Sequence, residues 1–497
     1  MTTTHRATYN PGQFTGLILG PALFFITILT GGPDSMPEPA VGILATTLWI
    51  AVWWITEAIP IEATSILPIL LFPFTGGLSI GQTTAAYGHP LVFLYLGGFI
   101  IALAIEKWNL HQRIALNIIY VVGTNLPMLI LGFMLATAFI SMWISNTATA
   151  LMMLPIAMAV VTHLNDHSEN TDIHIFARPL MLSIAYAASI GGMATLIGTP
   201  PNLVFASVVK EIFQQEITFS QWMLVGLPFS VALLFLCWWV LTRGIFKVQH
   251  LPSGTGRETI RQQLKGLGKM QAEEIMVLII FMLTAFLWIT RSFLFAKRFP
   301  ALDDTLIALG GAVLLFLIPS PNHPGDRLMN WSNAIRLPWG ILLLFGGGLA
   351  IAAGFEKSGL AVWIGSQMTL LHGVSFILII LVVTTLVNFL TEITSNLATA
   401  SMIMPILAAL AMAIGIHPYG LMVPAILAAS CAFMLPVATP PNAVVFGSGM
   451  IRIKDMVRAG IWMNIISIVL ITFYLYWILP LVWGIDLHTY PSNFPMK

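Results

Sequence analysis

The chain has 497 residues, 58% of them hydrophobic and 8% charged, with a formal net charge of +1. A soluble domain carries about 25% charged residues, so this chain cannot assemble a water-facing surface and its solvent is mostly lipid. The balanced charge argues against a nucleic-acid partner, and Cys237 and Cys431, both inside apolar runs, suit neither a disulfide framework nor a metal site.

In chain order, residues 1–13 are polar and show no charged segment leading to a small-residue cleavage site, so the first apolar run reads as a helix that stays in the membrane. Apolar runs follow at 14–30, 39–55, 90–105, 126–144, 178–196 and 222–242. A loop then carries Arg243, Lys247, Arg257, Arg261, Lys265 and Lys269 against Glu258, Glu273 and Glu274, which places it on the cytoplasmic side. Further runs occupy 275–290, 338–353, 374–390, 398–416, 419–435 and 460–483, and an odd number of crossings puts the tail from Asp486 outside. Runs near the ~20 residues that cross a bilayer, without the alternation of barrel strands, predict an all-α polytopic membrane protein of about 11 transmembrane helices. Three regions follow: an N-terminal half, 1–242, a basic cytoplasmic linker, 243–273, and a C-terminal half, 274–497.

The halves repeat one another. Ser145-Asn146-Thr147-Ala148-Thr149-Ala150 returns as Ser395-Asn396-Leu397-Ala398-Thr399-Ala400, an offset of 395 − 145 = 250. The same offset carries Gly97-Gly98 to Gly347-Gly348, Glu106-Lys107 to Glu356-Lys357, Ser141 to Thr391 and Pro155 to Pro405. Gly198-Thr199-Pro200-Pro201-Asn202 matches Ala438-Thr439-Pro440-Pro441-Asn442 at 439 − 199 = 240, the first copy having a longer intervening loop around Asn165–Arg178. Two homologous halves are what an inverted-repeat transporter looks like in sequence, with its site where the halves meet; a parallel repeat gives the same string match.

Each Ser-Asn motif interrupts apolar sequence, and Ser and Asn favour helix ends, so residues 145–147 and 395–397 read as tips of helical hairpins. The returning half-helices are expected to begin near Ala148 and Ala398. A helix start offers free N–H groups and a positive dipole end, an anion site that needs no lysine. The entering half-helix ends with free carbonyls, and Ser141, Ser145, Thr391 and Thr394 add hydroxyl oxygens there, which suits a small cation. Thr-Pro-Pro-Asn breaks a helix at 198–202 and again at 438–442, and broken backbone at membrane depth is tolerated where it lines a cavity. No arginine or lysine lies in these segments, and a buried dianion is costly unless neutralised, which favours cotransport with cations.

On these motifs the chain resembles the divalent anion:sodium symporter family, which moves di- and tricarboxylates or sulfate. The paired Ser-Asn tips, the paired Thr-Pro breaks, the length and the basic central loop extend the resemblance over nearly the whole chain. It implies a sodium-driven symporter of divalent organic anions in a bacterial-type inner membrane, working as a homodimer by an elevator movement, with no cofactor besides the transported sodium. One sodium site would use Ser141, Ser145, Asn146 and Gly198, and its partner Thr391, Thr394, Asn396 and Ala438. Substrate would be held by Ser145, Asn146, Thr147, Thr199 and Pro200 on one side and by Ser395, Asn396, Leu397, Thr439 and Pro440 on the other. Leu397 departs from the doubled pattern, since Thr147 stands there in the first copy, and one hydroxyl is lost.

Glu392, an acid at membrane depth, reads either as a modifier of the second cation site or proton carrier, or as an acid bonded to backbone at a helix end. His89, His111, His372 and His417 show no metal-ligand spacing and read as loop or interfacial residues. An anion exchanger or a proton-coupled carrier of the same architecture remains as an alternative. A membrane-embedded enzyme would need a His-Glu-x-x-His or Ser/His/Asp constellation, and neither that nor a P-loop is visible.

Overall fold

A computed structural model describes residues 9–494, apart from 34, 124, 167–173, 249–253 and 368–373. His372 and part of the longer loop of the first repeat lie outside the described residues. The architecture is all-α: nine helices among the described residues are long and apolar enough to cross a bilayer, and five shorter apolar helices accompany them. The short ones are why apolar runs and full crossings do not correspond one to one. Leu126–Ser141 has 16 residues, about 24 Å at the α-helical rise, against a hydrocarbon core of ~30 Å. Such a helix reaches partway in and turns back.

The turn falls where the motif lies. The first hairpin enters along Leu126–Ser141 and returns along Asn146–Asp166; the second enters along Phe376–Leu390 and returns along Asn396–Ile414. Behind each lies a backing helix, His174–Gly192 against the first entering helix and Tyr419–Ala429 against the second. The close approach depends on a glycine: a Cβ on Gly191 would stand 2.3 Å from Ala138 O. Each backing helix then leaves helical geometry, and the chain resumes as a break helix, Pro200–Phe213 or Pro440–Phe446. The break helices are exchanged: the first packs on the returning helix of the second hairpin, and the second on that of the first.

Ion pairs decide the direction of the two copies. The crossing helix Ala272–Thr290 has Glu274 at one end, paired to Arg113 at 3.0 Å in a recess that Lys107 also lines. At its other end Arg291 pairs with Glu216 at 2.6 Å, five residues beyond Glu211, which pairs with Lys357 at 3.3 Å. Lys107 and Lys357, equivalent by the offset of 250, therefore stand at opposite ends of one membrane-crossing helix. The homologous wall helices Pro90–Lys107 and Trp339–Lys357 run in opposite senses, and the repeats are inverted. Tyr95 and Phe345, also equivalent, meet on the pseudo-axis with ring centroids 6.1 Å apart.

By the positive-inside bias the basic linker marks the Glu274 end as the one expected to face the cytoplasm. The tail lies at the other end, as an odd number of crossings requires: Phe494 packs on Phe213, 5.2 Å between centroids. Burial around His417, whose N–H donates to Leu487 O at 3.2 Å, pushes its imidazole down to about 4, with Asp486 opposing. His111 is no loop residue: it is buried in Leu110–Val122, with Nδ1 3.1 Å from Ile105 O.

Candidate functional site

Four helix starts converge on one cavity of about 620 Å³. The returning helices begin at Asn146 and Asn396, two residues earlier than their apolar pattern suggests, because Ser145 and Ser395 precede them as end residues. The break helices begin at Pro200 and Pro440. Proline loses nothing at a first helical position, where its missing N–H has no intrahelical role, so these prolines start helices as well as ending the previous ones. The paired prolines carry no N–H, so free N–H groups come from the two returning helices, one in each repeat, while positive dipole ends face the cavity from all four starts, an arrangement that receives an anion without a basic side chain. No lysine, arginine or histidine lines it among the described residues.

Ser145, Asn146, Thr147, Gly198, Thr199 and Pro200 line this cavity from the first repeat. Thr394, Ser395, Asn396, Leu397, Ala438, Thr439 and Pro440 line it from the second. Ser141 and Thr391 do not reach it; both are fully buried behind the tips.

Their position there defines two matching oxygen clusters. Ser141 Oγ is 2.6 Å from Asn146 Oδ1 and donates to Ala188 O at 2.7 Å; Thr391 Oγ1 is 2.8 Å from both Asn396 Oδ1 and Ala429 O. The same amide end of Asn146 lies 3.1 Å from Ala188 O and 3.3 Å from Gly198 O. With its nitrogen turned inward the amide presents its two N–H groups to these three acceptors. With its oxygen inward, four oxygens face one another, an arrangement that a small cation stabilises. A Cβ on Gly198 would meet Gly192 O at 2.5 Å and one on Gly192 would meet Asn146 Oδ1 at 2.7 Å, so glycines let the break lie against the end of the backing helix and that end against the tip. The Ala188 and Ala429 carbonyls belong to plain apolar helices, and nothing in the sequence marks them.

Hydroxyl use differs between the copies. Ser145 Oγ accepts from Ala148 N at 3.2 Å and Thr439 Oγ1 from Asn442 N at 3.3 Å, while Ser395 and Thr199 make no such cap bond. Thr394 lines the cavity with its hydroxyl committed to Leu390 O at 2.9 Å. The asparagines of the two breaks turn away from the cavity: Asn202 Nδ2 donates to Thr195 O at 2.7 Å and Asn442 Nδ2 to Leu435 O at 3.0 Å. They tie the irregular stretches to themselves.

Those stretches carry orphan backbone groups that must be satisfied, and each copy solves this differently. In the first, Thr195 Oγ1 donates to Met142 O at 2.6 Å and accepts from Gly198 N at 3.1 Å. In the second, leucine stands at 435 and Glu392 at the position of Met142. Its carboxylate accepts from Phe433 N at 2.8 Å, Met434 N at 3.0 Å, Leu435 N at 3.2 Å and Asn464 Nδ2 at 2.7 Å. Of the two readings of Glu392, the geometry bears out the acid bonded to backbone.

The family model for the sodium:sulfate symporter transmembrane region matches residues 12–483. The chain belongs to this family. Among its curated relatives, a sodium-dependent dicarboxylate transporter of Staphylococcus saprophyticus is 50% identical over 485 residues, 96% of this chain and 93% of the relative. One from Staphylococcus aureus is 49% identical over 489 residues, covering 97% and 94%. Among solved structures, MtrF of Neisseria gonorrhoeae and the YdaH transporter of Alcanivorax borkumensis share the fold, with TM-scores of 0.57 and 0.55, each at 13% identity. Both matches cover 91% of this chain, with 98% of the first and 100% of the second. With the apolar helices, family membership makes this an integral, multi-pass membrane protein.

Proposed function

We propose that the chain is a sodium-coupled symporter of small dicarboxylates in the bacterial plasma membrane. The observation that carries this reading is the mirrored pair of oxygen clusters, Ser141–Asn146–Ala188 and Thr391–Asn396–Ala429, each directly behind a helix start that faces the cavity. The relatives at 50% and 49% identity are sodium-dependent dicarboxylate transporters, which supports the same substrates here.

Sodium is held by Ser141, Ser145, Asn146 and Gly198 on one side and by Thr391, Thr394, Asn396 and Ala438 on the other, with the Ala188 and Ala429 carbonyls added. Each asparagine then works twice, its oxygen on the cation and its helix start toward the anion. The dicarboxylate lies between the tips, one carboxylate toward Ser145, Asn146, Thr147, Thr199 and Pro200, the other toward Ser395, Asn396, Leu397, Thr439 and Pro440. Two sodium ions beside a dianion make a neutral cargo, which removes the cost of burying the charge at membrane depth. Cation and anion sites share residues, so neither is complete without the other's ligand, and that is coupling. Hairpins, backing helices and break helices form the moving body of an elevator within a homodimer, and the wall helices belong to the part that stays.

The test is purified protein in proteoliposomes, with labelled succinate, citrate and sulfate under sodium, potassium or proton gradients. Succinate uptake that follows the sodium gradient is expected; uptake indifferent to sodium sinks the reading and leaves exchange or proton coupling.

A further inference from the structure

The cavity that reaches the hairpin tips adjoins a second, open one of about 530 Å³. The residues common to both are Gln13, Glu57, Ile61 and Glu62, so this acidic ring stands where the two meet. Two carboxylates thus flank the junction of the cavity with the second chamber. Neither has an ion-pair partner among the described residues, and neither chamber is lined by a lysine, arginine or histidine. Glu62 is held in place: a Cβ on Gly340 would meet Glu62 Cγ at 2.3 Å, so the acid lies flat on the start of the second wall helix. Glu57 is exposed, its backbone in the left-handed region at φ 47° and its carbonyl accepting from Gln13 Nε2 at 3.2 Å. Gly340 is at the end of its helix opposite Lys357, which puts the ring on the cytoplasmic side. Behind the ring, the cavity wall holds Tyr95, 1% exposed, whose buried hydroxyl has no hydrogen-bond partner among the described residues.

We infer that Glu57 and Glu62 form a charge filter at the cytoplasmic mouth: they draw sodium toward the cavity and discriminate among anions by charge, admitting dianions over trianions. This rests on the reading of the cavity as a sodium and dicarboxylate site, and it adds two lining residues that belong to neither proposed ligand set. The physical basis is Coulombic. For charges roughly 10 Å apart in water at an ionic strength of about 0.05 M, two carboxylates lower the local concentration of a dianion roughly fourfold and of a trianion roughly eightfold. At about 0.5 M the same ring is screened to an effect below about 1.5-fold.

The experiment uses inside-out membrane vesicles, in which the cytoplasmic mouth faces the medium, at fixed sodium with ionic strength set by choline chloride. The wild-type protein's sodium-driven succinate uptake tests the underlying reading, and the comparison with variants tests the ring. In E57Q/E62Q the KM for succinate is expected to fall about fourfold at low ionic strength, and inhibition by citrate to strengthen about eightfold. Both shifts vanish as salt is added, and half-saturation by sodium moves to higher concentration. E62Q alone gives the square root of each factor and decides the matter should the double variant not fold. A KM for succinate unchanged at low salt, or a shift of equal size at every ionic strength, overturns the filter while leaving the transport reading intact.

Discussion

Asn146 and Asn396 each stand at a helix start with the amide among buried oxygens, and the proposed function has anion and cation meet at these two residues. Replacing either with alanine removes a cluster ligand without disturbing the apolar packing behind it. N146A and N396A are each expected to abolish sodium-driven succinate uptake in proteoliposomes, with unchanged elution in size-exclusion chromatography; full activity in either breaks the paired-tip model. Leu397, 5% exposed and lining the cavity, marks the inequality of the two tips. L397T restores a hydroxyl where the first repeat has one, and sites that hydrogen-bond a polar group discriminate strongly by that bond. Competition by malate, fumarate, citrate and sulfate against labelled succinate is expected to change its order in this variant. An unchanged order means the side chain does not face the anion.

At the scale of elements, the irregular stretch between backing helix and break helix is the least self-sufficient part of the fold. Glu392 serves three backbone N–H groups and the Asn464 amide, where Thr195 serves one N–H in the first repeat. Each buried donor left unsatisfied costs about 1–3 kcal/mol, so E392A is expected to lower the thermal midpoint in detergent well beyond T195V. Equal midpoints refute this division of labour. His417, which accepts from Tyr419 N at 3.2 Å, gives a second handle. With its imidazole near 4 in the fold and near 6.5 in the unfolded chain, the unfolded state binds the extra proton between those values. Its contribution to stability is full above about 6.5 and lost progressively as pH falls toward about 4. H417N keeps the capping acceptor and removes the titration, so its thermal midpoint is expected to depend less on pH in that window.

For the whole molecule, the ion pair Lys357–Glu211 joins a wall helix to the first break helix at the end opposite the basic linker, at 3.3 Å. An elevator must separate these groups in every cycle. In a K357C/E211C variant, oxidation is expected to stop succinate uptake and reduction to restore it; uptake that persists with the link fully formed rules out sliding at this seam. The homodimer is tested by native mass spectrometry in nanodiscs, where twice the chain mass is expected.

Composition and the repeat were enough to specify lipid as solvent, helices as the only structure and the two Ser-Asn tips with their Thr-Pro partners as the place to look. These are legible because polar residues and prolines inside apolar runs are costly unless used, and because two copies of a motif are hard to produce by chance. The returning helices begin two residues before their apolar pattern, at Asn146 and Asn396, because the first turn is polar: Ser145 caps the first, and Ser395 precedes the second without a side-chain cap bond. The sense of the repeats, the exchange of break helices, the Ala188 and Ala429 carbonyls and the acidic ring required the fold. Each depends on which segments meet across more than a hundred residues or on backbone atoms that every residue carries alike, and neither leaves a local mark in the order of side chains.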